Sequence, residues 1–536
     1  MSTNKLVTLA MTIGTAFVGA VGAKAAAATL HVPGDFATIQ ACIDAAVSGV
    51  DECVVAPGTY HETINFLGKA ITVRSSGGAD VTTIDATGIG GSVVTCASSE
   101  GPDTVLDGFI ITGGTGTVRD GYTHGGGMYN GSGSPTVTNC TLSGNVAGVG
   151  GGMYNGGGSP TVTNCDFSGN TASNPGYDGG GMFNDASSAK VTNCTFVGNM
   201  ASGGGGGMYN AWGSPTVTNC WFSKNTALSG GGMFTHRSSV TVTNCTFSGN
   251  TVTLYGGGMT ARASGGAVVI VTGCTFRGNK ADYGGGMTNF SGGGPTTVAN
   301  CTFSGNIAAF DGGGMYIYSR PTVINCTFGG NIATNAGGGM YILLAPTLAN
   351  SILWGDSPDE IVNVEPYSRA PPPAIRFSDV QGGLPVGAVD GGGNIDLDPM
   401  FVRLPNPWPD GTWDGVDDDY GDLRLRAGSP CIDTGDPAFV AQLGETDLEG
   451  HARVLCGRVD MGAYEFGIGD YDCDQSVDLA DFSSWQACMA GPLDSGAFHS
   501  TIDNRHSTIG CESFDFDGDG SVSLLDFSGF QRVFAP

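Results

Sequence analysis

Between Gly125 and Asn350 one unit returns every 25 to 29 residues, and no other feature limits the fold of this chain so tightly. The unit opens on Gly-Gly-Gly-Met, with Met at 128, 153, 182, 208, 233, 259, 287, 315 and 340. Its second half reads Thr-Val-Thr-Asn-Cys-Thr-Phe-Ser-Gly-Asn, and carries Cys at 140, 165, 194, 220, 245, 274, 301 and 326. A period of this length signals a solenoid, in which each unit buries its apolar face only against its neighbours. Triple glycines and β-branched Thr/Val runs disfavour helix and suit strands.

Side-chain parity sets the shape of one unit. Cys140 and Leu142 share a face by period two, whereas Val137 lies three residues before Cys140. A bend at Asn139 restores the alternation, and Asn tolerates the left-handed backbone that such a bend needs. Each unit is then one coil of short strands with Val, Cys, Phe and Met inward, and coils stack about 4.8 Å apart. The expected fold is all-β, a right-handed parallel β-helix solenoid with an N-terminal capping helix. Ile39, Ile43 and Val47 would form the apolar stripe of that helix, since a bare terminal coil exposes strand edges. Stacked cysteines could be bridged or reactive, but a column of small buried hydrophobes is the favoured reading.

The Phe-x-x-Asn motifs (Phe167–Asn170, Phe196–Asn199, Phe247–Asn250) with Gly-Gly-Gly-Met resemble the repeats of polymorphic outer-membrane proteins. That resemblance implies a surface-exposed β-helix. Ala37-Thr38-Ile39-Gln40 through Val55-Ala56-Pro57-Gly58-Thr59-Tyr60 resembles the start of pectin-lyase-like β-helices. Residues 350–466 carry Asn350-Ser351-Ile352-Leu353-Trp354-Gly355, Ser429-Pro430-Cys431-Ile432-Asp433-Thr434-Gly435 and Asp460-Met461-Gly462-Ala463-Tyr464-Glu465. These are similar to the choice-of-anchor Q group of bacterial surface β-helix proteins, which implies a C-terminal continuation of the spiral followed by an anchoring module.

Charge separates the chain into parts. The net charge is −28, with many of the acids after Gly355, which argues against nucleic acid and suits divalent cations. Asp470, Asp472, Asp474, Ser476, Asp478 and Asp481 occupy alternate and closing positions of one loop, and Asp515, Asp517, Asp519, Ser521, Ser523 and Asp526 repeat the pattern. Oxygens so spaced, with a carbonyl at position 7, are what Ca²⁺ requires, so two Ca²⁺ sites are expected. With short helices expected at Phe482–Ala487 and Phe527–Val533, residues 468–536 resemble a small α-helical dockerin of type I. The resemblance implies a cohesin-like protein partner, although Gln475 replaces the usual Gly and a long link holds Cys488 and Cys511.

Lys5, an apolar stretch from Leu6 to Gly22 and Ala23-Lys24-Ala25 read as an export signal over 1–25. Residues 26–349 then form the spiral, with repeats over 125–349. No other run is long and apolar enough to span a bilayer, so the mature chain is expected outside the cell or at its surface. Export makes Cys42 with Cys53, Cys431 with Cys456, and Cys488 with Cys511 candidate disulfide staples.

The catalytic residues are unknown from sequence. Asp166, Asp178, Asp185, Asp282 and Asp311 fall at different phases of the coil, and no acid pair evidently converges. After each Met, Tyr129, Tyr154, Phe183, Tyr209, Phe234, Tyr316 and Tyr341 point outward at coil spacing. They form either an exposed stripe that stacks against sugar rings or packing for neighbouring loops. The leading expectation is a β-helix that binds or scaffolds, with polysaccharide as ligand. A polysaccharide lyase or glycoside hydrolase and a protein-binding adhesin are the alternatives.

Overall fold

The computed structural model describes residues 27–174, 176, 178–364, 371–407, 413 and 418–467. The export segment and both calcium loops, with Cys488 and Cys511, lie outside the described residues.

The chain winds as a parallel β-solenoid whose coils contribute one strand each to long sheets. A 15-stranded sheet runs from Thr29–Val32 to Val389–Asp390, a 13-stranded sheet from Gly58–Tyr60 to Asp379–Val380, and a 12-stranded sheet from Ile64–Asn65 to Ile361–Asn363. A fourth sheet of eight short strands, Val146–Ala147 to Ile332–Ala333, forms the remaining corner. Register is strict in the three longest sheets, where Met128 pairs with Met153, Val137 with Val162 and Leu142 with Phe167, and it shifts at bulges in the eight-stranded one. Stacked Phe167, Phe196, Phe222, Phe247, Phe276, Phe303 and Phe328 have centroids 4.5–4.9 Å apart, the strand spacing itself.

Turns repeat as faithfully as strands. Asn139, Asn164, Asn193, Asn219, Asn244, Asn300, Asn325 and Asn350 all adopt positive φ near 50°, and Gly273 replaces Asn in one coil. These are the bends that side-chain parity demands. A second asparagine ladder lies inside the spiral. Asn199, fully buried, donates from its backbone N–H and from Nδ2 to Asn225 Oδ1 (3.0 and 3.1 Å), while Nδ2 also reaches the Phe167 carbonyl at 2.9 Å. Asn145, Asn170, Asn225, Asn250, Asn279, Asn306 and Asn331 repeat this arrangement. An amide supplies a donor and an acceptor along the stacking axis, so each asparagine of this ladder from 145 to 331 has partners for both.

The cysteine column is buried and unbridged from Cys140 to Cys326. Burial pushes the Cys245 and Cys301 thiols well up, away from the reactive thiolate. Cys42 and Cys53 form a disulfide that ties the helix Ile39–Ala45 to the adjoining strand Glu52–Val55. Ile39 and Ile43 are buried on that helix, but Val47 lies beyond its end and is exposed.

The C-terminal stretch corrects two expectations. Stacking stops at Val389–Asp390, and the described residues of 401–466 fold back along the outside of the last coils instead of prolonging the spiral. Phe401–Arg403 and Asp422–Leu425 pair antiparallel, and their apolar residues join Cys431, Ile432 and Met461 against Ile352. The Ala463 N–H donates to Thr327 Oγ1 and the Gly462 N–H to the Asn350 carbonyl. Such a lobe covers outward faces of coils, which a solenoid leaves available. Nor does Cys431 pair with Cys456. Cys456 is disulfide-bonded, whereas the Cys431 thiol is free and faces Asp379 Oδ2 at 3.2 Å, inside the apolar cluster.

Candidate functional site

The aromatic column after each Met exists, but it is not the open stripe that sugar stacking would require. Tyr129, Tyr154, Phe183, Tyr209 and Phe234 stack with centroids 5.0–5.8 Å apart and are buried with Val149 and Ala211. They do leave the coil interior, as period two dictates. The eight-stranded corner and the segments leading into each Gly-Gly-Gly then lie over them: a side chain at Gly204 would strike Tyr209 and Phe234. Polar tips are engaged too. Arg119 Nη1 donates to Tyr129 Oη at 3.2 Å, and Tyr154 donates to Asp185 Oδ2 at 3.0 Å. Burial, aided by Asp185, raises the Tyr154 phenol well above its ordinary value.

Thr260 and Thr288 interrupt the column and donate to the Tyr255 and Tyr283 carbonyls at 2.7 and 2.9 Å. Tyr316 and Tyr341 resume it, stacked at 5.4 Å and half-buried. Beside the gap Tyr255, Tyr283 and Phe310 form an outer row with centroids 5.4 and 5.2 Å apart. Both broad faces of the middle ring, Tyr283, are taken by its neighbours. The sequence signal for this row is the aromatic residue just before a Gly-Gly-Gly, at 255 and 283.

A better-shaped site lies on the 13-stranded sheet. Trp221, Ser223, Lys224, Ser248, Thr251, Lys280, Trp413 and Tyr420 line a cleft of about 490 Å³. Its floor consists of outward positions of successive coils, since Trp221 pairs with Thr246 in register and Phe222 beside it faces the core. Its far wall is the returning C-terminal lobe. Trp413 stacks on Tyr420 at 5.2 Å, and the Arg277 guanidinium sits 5.1 Å from the Trp221 ring centroid and 5.8 Å from that of Tyr420. A cation held between two aromatic faces is fixed in place and keeps its donors for a partner. Trp413 is 1% exposed, and its indole N–H meets no acceptor among the described residues.

Glycine makes this wall possible. Gly278 and Gly305 take positive φ at the corner after the Phe strand, and a Cβ on Gly278 would lie within 3 Å of the Tyr420 ring. At Gly305 it would come 2.7 Å from Trp413. The equivalent corner three units earlier carries Lys224 at φ 54°, where no lobe covers it. The cleft is therefore built from departures: Trp221, Lys224, Arg277 and Lys280 stand where other units carry Thr, Gly, Ser and Thr. That was its signal in the sequence. Trp413 and Tyr420 carried none, because only the fold-back brings them over these coils.

A second cavity of about 610 Å³ lies at the C-terminal end, lined in part by Asp356, Glu360, Asn363 and Gln381. Burial raises both carboxyls. Asp356 Oδ2 and Glu360 Oε2 are themselves sealed from solvent, so they do not face a substrate. Among the described residues no group of three or more His, Cys, Asp or Glu side chains is placed to hold a metal ion, and no helix is long and apolar enough to cross a membrane.

Comparison with family models agrees with this architecture over part of the chain. Residues 107–264 match the family model described as right handed beta helix region. No curated protein matches the chain. A solved structure titled as the crystal structure of pectate lyase Pel9A is similar at 16% identity and a TM-score of 0.38, covering 83% of this chain and 97% of that one. The described residues thus form a parallel β-solenoid, matched over 107–264 by the right handed beta helix region.

Proposed function

We propose that the chain is an exported β-helix protein that binds acidic polysaccharide in the cleft formed by Trp221, Arg277, Lys224, Lys280, Trp413 and Tyr420. The supporting observation is the coincidence of cations and rings. The chain has 21 Lys and Arg against 49 Asp and Glu, yet Lys224, Arg277 and Lys280 gather around one aromatic cleft. Indole and phenol rings offer apolar faces to sugar rings, while ammonium and guanidinium groups offer donors to carboxylate or sulfate.

In the same reading, residues 468–536 tether the spiral. Asp470, Asp472, Asp474, Ser476, Asp478 and Asp481, with Asp515, Asp517, Asp519, Ser521, Ser523 and Asp526, would hold two Ca²⁺ ions, which supply charge neutralisation that lets each loop close. A cohesin-like protein is the partner that the dockerin resemblance suggests. The signal-like stretch over 1–25 supports a position outside the cell or at its surface.

Affinity electrophoresis of the full chain in gels carrying polygalacturonate or a neutral glucan tests the cleft. Retardation is expected in the acidic polymer alone, and Trp221→Ala or Arg277→Ala should each weaken it about tenfold, equivalent to about 1.4 kcal/mol. Equal mobility of wild type and both variants would remove the cleft from the reading. Release of unsaturated or reducing ends in the same mixture would move the chain to the lyase or hydrolase class.

A further inference from the structure

The inner asparagine ladder ends on an acid. Asn331 donates from its backbone N–H and Nδ2 to Asp356 Oδ1 at 2.6 and 2.8 Å, so Asp356 occupies the next rung. Its other oxygen stands where each earlier rung has an amide nitrogen. Beside Gly127 and Gly152 lie Asn145 Nδ2 and Asn170 Nδ2, and beside Gly339 lies Asp356 Oδ2 at the corresponding place. In every earlier rung that nitrogen donates twice, to the carbonyl of the preceding coil and to the next rung's oxygen. For Asp356 the two corresponding acceptors are the Phe328 carbonyl and the carboxyl of Glu360, whose Oε1 accepts from the Asp356 N–H at 3.0 Å just as an Asn Oδ1 would.

Oxygen therefore meets oxygen at the last rung. Asp356 Oδ2 and Glu360 Oε2 are buried without a partner, and both residues are more than nine-tenths buried. Nothing basic neutralises them: among the described residues, the segments 329–342, 352–363 and 381–386 that surround the pair contain no Lys, Arg or His. Their other ionisable groups are exposed Asp359 and half-buried Tyr341, and neither supplies positive charge.

We propose that Asp356 and Glu360 cap the asparagine ladder by holding a proton that takes the place of the missing amide hydrogen, and that loss of this proton loosens the last coils of the spiral. The direction of pH dependence follows. Burial, with each acid opposing ionisation of the other, raises both carboxyls above the ordinary range. An acid raised in the folded state binds more protons there than when unfolded. Its stabilisation is complete below the unfolded value and is lost as pH rises through the folded one. The C-terminal coils should be tight in mild acid and open in mild base.

Hydrogen exchange of the full chain, corrected for intrinsic rate, tests this on segments covering 352–363 at about pH 5 and about pH 9. Protection of wild type should fall about tenfold or more across that range, while segments covering 216–225 stay constant. Asp356→Asn restores the amide donor and should keep the segment protected at both pH values; Glu360→Gln should flatten the response in part. A fall as steep in Asp356→Asn as in wild type would overturn the cap. So would rescue of wild type at the higher pH by added Ca²⁺ that the Asn variant does not show, which would make the site one for a cation.

Discussion

The repeat body and the returning lobe solve the same problem in opposite ways. In the body, each amide of the inner asparagine ladder is answered by an identical group one coil away, as Asn199 is by Asn225. In the lobe, burial involves unlike charges: Arg453 and Glu465, both essentially unexposed, pair at 2.8 Å, with Asp460 adjacent. Two acids around one guanidinium leave an excess negative charge, and burial pushes Asp460 up to about 7 and Glu465 up to about 10. Repetition gives the body satisfaction without charge. The lobe packs on the body's side rather than its end, and has no copy of itself to pair with.

Breaking the ladder should give the largest effect. Asn225→Leu removes the acceptor for the Asn199 N–H and Nδ2 and the donor to the Phe196 carbonyl, in a fully buried place. Three orphaned groups at about 1–3 kcal/mol each predict a loss of about 5 kcal/mol, measured as a shift in the denaturant midpoint. A loss below about 1 kcal/mol would mean that water or neighbouring rungs replace the bonds.

The lobe should yield next, and separately. Arg453→Met strands Glu465 and Asp460, at a cost of about 3–5 kcal/mol near neutral pH. Because burial raises both acids in the fold, each takes up its proton well above the ordinary carboxylate range, and the cost shrinks as pH falls through those raised values. Limited proteolysis should cut 401–466 while the coils stay resistant. Simultaneous loss of both regions would show that the body depends on the lobe.

How much was legible follows the same division. Met and Cys spacing gave the coil, parity at Asn139 gave the bend, and the β-helix required nothing more. The aromatic column was placed in the correct register, yet its burial was not visible, because the covering segments vary in length and composition from unit to unit. Cys431 looked available for a nearby cysteine; only the fold-back shows it facing Asp379. The cleft was half-written, in Trp221, Lys224, Arg277 and Lys280, and half absent, since Trp413 is brought there by contacts with coils more than a hundred residues earlier.

Gly305→Ala probes the seam between the two regions. Positive φ costs a non-glycine residue about 1–2 kcal/mol, and the new methyl meets Trp413. The coil itself should persist, since Lys224 accepts the same backbone at an uncovered corner. Trp413 should shift, so its fluorescence should move to longer wavelength and acidic-polymer binding should weaken. An unchanged spectrum would mean that the lobe does not rest on this corner.

The smallest effect belongs to the outer asparagines, and it separates covered from uncovered coils. Asn193 donates to Asn164 Oδ1 at 3.3 Å and accepts from Asn219 at 3.2 Å, both at exposed positions. Gly accepts the left-handed bend freely, as Gly273 does, so Asn193→Gly should cost about 0.5 kcal/mol, the value of exposed hydrogen bonds that water replaces. Asn193→Ala should cost about 1–2 kcal/mol, because Ala carries the steric penalty of positive φ. At Asn300 the balance changes, because its Nδ2 reaches Glu445 Oε1 and the Thr446 carbonyl at 3.3 Å under the lobe. Asn300→Gly should therefore cost more than Asn193→Gly and release 440–450 first in hydrogen exchange. Equal costs at the two positions would show that the lobe only touches this ladder, whereas a larger cost at 300 makes the outer amides part of what holds it down.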